Sequence, residues 1–152
     1  MKKGNTYRWA KVKNGIPNIA IVHLDSSENL SQQNVINEYY SGKGFIGQGI
    51  IEDISSRGYD SWKIGAIKGL EYAFSKTEKF WTVDLFSIKG MTTDTNPTIV
   101  GYTVIRAFFN QIHYNLTPEE IENLENFVSS SWRNQYKELI PDFFTLTFSE
   151  YN

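Results

Sequence analysis

The chain has 152 residues, with 17 acids against 15 bases for a net charge of −2, and is 40% hydrophobic and 15% aromatic. That length and apolar share suit one domain with a real core and exclude a disordered or fibrous chain. The absence of cysteine excludes disulfide scaffolds, Cys-ligated zinc, iron–sulfur clusters and thiol catalysis, and a pI near 5.7 argues against a domain that binds nucleic acid by neutralising phosphates.

Lys2 and Lys3 are followed by Arg8, Lys11 and Lys13 rather than by an apolar run, so the start does not read as a secretory signal. The most apolar stretch, residues 99–112, contains Arg106 and Asn110 and falls short of a membrane span. The expected compartment is the cytoplasm, with no membrane partner.

Residues 7–13 alternate around Trp9, and residues 19–24 form a β-rich run containing His23. Asn14-Gly15 between them predicts a hairpin. Residues 31–40 predict a helix, with Val35, Ile36, Tyr39 and Tyr40 as its apolar stripe. Gly42, Gly44, Gly47 and Gly49 then lead into residues 50–54, which read as a glycine-weakened strand.

A second helix is expected over residues 61–76, capped by Asp60 or Ser61. Ile64, Ile67, Leu70 and Phe74 form its large apolar face, beside a small-residue stripe of Gly65, Gly69 and Ala73. Glycine costs a helix about 1 kcal/mol relative to alanine, so the stripe implies that a sheet or helix packs directly on this backbone. Residues 80–89 alternate as a central strand, with Trp81, Val83, Leu85 and Ser87 on one face and Phe80, Thr82, Asp84, Phe86 and Ile88 on the other. Asn96 and Pro97 start a helix running to about Tyr114. Thr117-Pro118-Glu119-Glu120 combines an N-cap, an N1 proline and a capping-box glutamate. Pro141 separates that last helix from a strand over residues 143–148, with Phe144, Leu146 and Phe148 sharing a face.

No motif specifies chemistry. Gly42-Lys43-Gly44-Phe45-Ile46-Gly47 has the G-x-G-x-x-G spacing, but a dinucleotide site needs a strand before it and a helix after it, the reverse of the order expected here. The two histidines, His23 and His113, read as a strand residue near Asp25 and as a helix C-terminal residue. A small enzyme would need a pocket enclosing His23 and Asp25 with a further polar group. Asp94-Thr95 reads as the organiser of the turn before Pro97. Glu119, Glu120, Glu122 and Glu125 read as a solvated acidic face. No catalytic residue, metal site or cofactor is expected.

Across residues 58–113 the order of features resembles domain IV of elongation factor G. Ala66, Gly69, Leu70 and Ala73 fall on the helix, Val83, Leu85 and Ile88 on the strand, and Gly90, Asp94-Thr95 and Arg106-Ala107-Phe108 follow. The resemblance covers less than half the chain and implies a fold similar to ribosomal protein S5 domain 2. In type (small, slightly acidic, aromatic-rich, without a catalytic motif) the chain also resembles bacterial immunity proteins that neutralise toxins.

The expected fold is α+β in two layers, a mostly antiparallel sheet with helices mainly on one face. The expected function is non-enzymatic protein binding, most concretely by an immunity protein using Glu52, Asp53, Tyr59 and Asp60 against a basic toxin domain. The alternative is a ribosome- or RNA-associated factor, which predicts a basic stripe from Lys63, Lys68 and Lys76.

Overall fold

The Asn14-Gly15 signal produces the first hairpin. In the computed structural model, which describes residues 4–133 and 138–151, β1 (Asn5–Lys13) and β2 (Ile16–Asn29) pair antiparallel. Asn14 and Gly15 take φ of 53° and 76°, the left-handed pair that a two-residue turn needs to match strand twist. Lys2 and Lys3 lie outside the described residues. β2 runs on past β1 and pairs antiparallel with the long strand β5 (Phe80–Gly90). The other edge of β5 is shared: β3 (Val35–Glu38) lies parallel to its first half and β4 (Glu52–Asp53) antiparallel to its end. The result is a five-stranded mixed sheet in the order β1-β2-β5-β3, with β4 beside β3 on β5.

The helix expected over residues 31–40 is therefore a turn and a strand. Asn29 organises the turn: its Oδ1 accepts from the Ser31 N–H at 2.9 Å and its Nδ2 donates to the Gln33 carbonyl at 3.1 Å. The Asn34 side chain then accepts the Trp81 N–H at 2.9 Å and delivers Val35 and Ile36 to the edge of β5. A ten-residue helix is marginal alone, and β-branched residues fit a pleated edge better. The strand expected at 50–54 is confined to Glu52–Asp53. The glycine-rich segment folds back on it, through a Gly44–Asp53 bridge and a Gly42 N–H to Ile54 carbonyl bond of 3.0 Å.

Helices α1 (Asp60–Ser75) and α2 (Pro97–Ile112) cover one face of the sheet. The N-cap of α1 is Tyr59, at a φ of 56° and without a side-chain cap, rather than Asp60 or Ser61. Asp60 is the first helical residue, so its carboxylate acts on the helix dipole instead. Asn96 caps α2 as expected, accepting from the Ile99 N–H at 2.9 Å, with Pro97 at N1. The small-residue stripe is answered by α2. A Cβ on Gly65 would stand 2.3 Å from the Pro97 carbonyl oxygen, and one on Gly69 would stand 2.3 Å from that of Gly101. The two helices thus meet backbone to backbone. Beneath them Val22, Leu24, Val83, Leu85 and Ile88 meet Leu70, Ile99, Ile105 and Phe108 in a fully buried core. Asp94 and Thr95 anchor the preceding turn to β2: Ile19 N–H donates to the Asp94 carbonyl, and Thr95 Oγ1 donates to the Ile19 carbonyl.

The alternation of β5 slips at Phe86. Leu85 is paired with Leu24 but Ser87 with His23, so Phe86 is the extra residue of a β-bulge. The slip sends Ile88 into the core, away from the face of Phe86 where simple alternation puts it. Ser87 goes to the opposite face from Leu85.

Helix α3 (Pro118–Ser130) starts with the full capping box between Thr117 and Glu120 and buries Leu124, Phe127 and Val128. Its acids are not simply solvated. Glu125, with a side chain 13% exposed, takes Lys11 at 2.7 Å and the Tyr102 hydroxyl at 2.7 Å, and Glu120 takes Lys76 at 2.8 Å. A 3-10 turn, Ser131–Arg133, follows. The strand expected at 143–148 is instead a hairpin of β6 (Ile140–Asp142) and β7 (Thr147–Ser149). Asp142 Oδ1 accepts from the N–H groups of Phe144 and Thr145, an Asx turn that bends the chain where continuous alternation was expected. Phe143 goes into the core while Phe144 stays exposed.

Candidate functional site

Among the described residues no helix packs on the second face of the sheet. Strand alternation fixes what it presents. Since Leu24 and Leu85 face the helices, their neighbours His23, Asp25, Asp84 and Phe86 face the other way, and the bulge adds Ser87.

Around the bulge four strands converge on a cavity of about 110 Å³. Its polar lining is Thr6 from β1, His23 from β2, Ser87 and Lys89 from β5, and Asp53 from β4. The ladders place them: Thr6 opposes His23, His23 opposes Ser87, and Asp53 opposes Lys89. Ser87 Oγ donates to Asp53 Oδ1 at 3.1 Å. A nucleophilic triad needs a histidine between serine and acid, whereas here the serine bonds the acid directly. Asp25 does not line this cavity, so the cavity does not join His23 to Asp25. Among the described residues no group of three His, Asp or Glu could hold a metal. The volume suits roughly three waters or the tip of one side chain.

Beside the cavity, the His23 ring meets Phe86 edge-on at 5.4 Å and Tyr39 stacks on Phe86 at 5.7 Å. Farther along, Asp25 and Asp84 stand directly opposite each other on β2 and β5. Asn37 Nδ2 donates to Asp84 Oδ1 at 2.9 Å, but among the described residues neither aspartate has an ion pair. Two like charges opposed across a ladder are unfavourable to the fold itself.

The four residues singled out in the sequence divide into two groups. Glu52, Asp53 and Tyr59 come together around β4. Glu52 is only 3% exposed and accepts a hydrogen bond from the hydroxyl of the half-buried Tyr59, so the pair ties β4 to the start of α1. Burial, then the hydrogen bond and charge of Glu52, push the Tyr59 hydroxyl up to about 12, so it remains a donor at neutral pH. Asp53 points to the open face. Asp60 belongs elsewhere, with the Tyr151 hydroxyl 3.4 Å from its carboxylate. Ser87, Lys89 and Thr6 carried no signal in the sequence, because what gathers them is strand register.

The segment joining β3 to β4 adds an apolar rim. Tyr39, Phe45, Ile46 and Ile50 are each about half exposed or more, and Ile51 is also exposed. Separate single apolar residues on a surface are ordinary, but five exposed within thirteen positions concentrate apolar surface in one segment. The lysines considered for a basic stripe are all engaged. Lys63 donates to the Ser56 carbonyl at 3.0 Å, Lys68 is 3.9 Å from Glu71, and Lys76 pairs with Glu120. Among the described residues no helix is long and apolar enough to cross a membrane.

A search of family models finds none that matches the chain, and a search of curated proteins finds no significant match.

Proposed function

We propose that the chain is a protein-binding module without catalysis of its own, and most concretely an immunity protein that neutralises a toxin through a basic surface in the cytoplasm. The observation that carries the reading is the Asp25–Asp84 pair, placed on a sheet face that no described helix covers and flanked by an exposed apolar rim. A lysine or arginine from a partner would relieve the repulsion between the two carboxylates, so binding gains what folding gives up. Tyr39, stacked on Phe86 next to Asp84, supplies an aromatic anchor beside that charge, a residue type favoured at interface centres. Asp53 lies on the same face, and Glu52 and Tyr59 support it. The engaged state of Lys63, Lys68 and Lys76 gives no comparable support to an RNA-binding reading.

The test pairs the chain with the product of the neighbouring gene. Co-expression should protect cells from that product, and the two proteins should elute as one complex. The double variant Asp25→Lys/Asp84→Lys should lose both effects while keeping its circular dichroism spectrum. Absence of both complex and protection overturns the reading.

A further inference from the structure

A second cavity lies on the helix side of the sheet and owes nothing to the open face. It occupies about 310 Å³ between β1, the last turns of α2 and the segment leading to α3. Tyr7, Phe109 and Tyr114 give it aromatic walls, Asn110 and Asn115 give it amides, and among the described residues Arg106 and His113 are its only ionisable groups besides the tyrosines. Among the described residues no carboxylate lines it.

The charge around it is unbalanced. Glu125 stands beside two cations, 2.7 Å from Lys11 Nζ but 3.6 Å from Arg106 Nη1. One carboxylate shared by two cations leaves a net positive charge, and the longer contact leaves that excess on the arginine, the member that reaches the cavity. Arg106 is also held in place. Its Nη1 donates to the Tyr102 hydroxyl at 2.7 Å, and Tyr102 is fully buried with its ring edge-on to Trp9 at 5.2 Å. A guanidinium has five N–H donors in a rigid fork, so fixing one nitrogen orients the others.

The remaining walls are largely aromatic, and two of them pack on each other, so a ligand meets ring edges and one outer face rather than a slot between rings. Phe109 and Tyr114 lie with ring centroids 4.5 Å apart, fixed by the left-handed turn at His113, whose φ is 61°, and by the Tyr114 N–H to Phe109 carbonyl bond of 2.9 Å. The volume sits at the small end of the range for ligand pockets, about 300–1,000 Å³, which suits one or two fused rings rather than a nucleotide.

We propose that this cavity binds a small aromatic carboxylate, with Arg106 receiving the carboxylate and Tyr7, Phe109 and Tyr114 packing against the ring. The experiment is calorimetric titration of the purified chain with benzoate, 4-hydroxybenzoate and indole-3-carboxylate. At least one should bind saturably, and its neutral amide analogue should bind at least about tenfold more weakly. Inorganic phosphate, which has charge but no ring, should also bind more weakly. Arg106→Gln should reduce affinity by about tenfold or more. Because Arg106 also braces Tyr102, a second variant is needed: Asn115→Trp, on the exposed rim, should block the cavity without touching that network. The proposal is overturned if none of the three acids binds up to about 10 mM, if the amide binds as tightly as the acid, or if folded Asn115→Trp binds unchanged.

Discussion

The two faces of β5 divide the molecule. Toward the helices, Val83, Leu85 and Ile88 are sealed, and the helices above them approach so closely that glycine backbones touch. On the opposite face the same strand offers Asp84, Phe86 and Ser87, half-buried or bonded to a short edge strand, with like charges set side by side. The first face has every contact chosen for folding. The second carries features that folding alone would select against, which is where binding surfaces are expected to differ from cores.

The sharpest way to break the first face is Gly69→Ala. The new Cβ would stand 2.3 Å from the Gly101 carbonyl oxygen, a backbone atom that cannot swing aside. The cost should reach or exceed the upper end of the roughly 1–3 kcal/mol typical of overpacking, read as a lower midpoint in chemical denaturation. Next come two adjacent residues of β5. Leu85→Ala should cost about 2–5 kcal/mol, whereas Phe86→Ala, on the open face, should cost distinctly less although it deletes more atoms. Equal losses would erase the distinction between the faces.

Much of the sealed face was legible in the sequence. The Asn14-Gly15 turn, the Asn96-Pro97 start and the Thr117 capping box are local signals with one geometric meaning each, and the glycine stripe of α1 announces a close approach, though not whether a sheet or a helix makes it. The open face was not legible, for the same physical reason in each case: its geometry depends on pairing between distant segments. Val35, Ile36, Tyr39 and Tyr40 satisfy a helical period, and only the empty edge of β5 makes Val35 and Ile36 part of a strand. The bulge at Phe86 shows in the sequence only as the adjacent apolar pair Leu85-Phe86, which does not reveal the partner strand, yet it decides that Ser87 meets Asp53 and His23. Glu52 looked like a surface acid and is buried because Tyr59 reaches back to it. Asp53 was singled out from charge and loop position, and its partners became visible only with the register.

A smaller effect tests the helix that borders the sealed side. Thr117→Ala removes one half of the capping box and should cost about 1 kcal/mol, a modest fall in midpoint without change of fold. Glu125 offers a pH signature on the same helix. Burial alone would raise its carboxyl, but hydrogen bonds from Lys11 and Tyr102, with the charges of Lys11 and Arg106, hold it below the usual 4.5. A depressed folded-state pKa means the stabilisation is fully present above 4.5 and is lost as pH falls through the folded value. Glu125→Gln should therefore lose stability at neutral pH and show a flatter decline in acid than the parent chain.

The smallest change bears most directly on the open face. Asp84 is held by Asn37, so Asp25 is the member of the pair to neutralise. If the two carboxylates repel each other, Asp25→Asn should raise the unfolding midpoint slightly, by a few tenths of a kcal/mol at low ionic strength. That gain should vanish near 1 M salt, where the screening length falls to about 3 Å. On the proposed reading the same variant should weaken binding to a basic partner, because Asp25 would then serve that partner at the fold's expense. Loss of stability in Asp25→Asn at low salt would mean that the carboxylate is already satisfied within the fold. The open face would then keep its apolar rim but lose the electrostatic reason for choosing a basic partner.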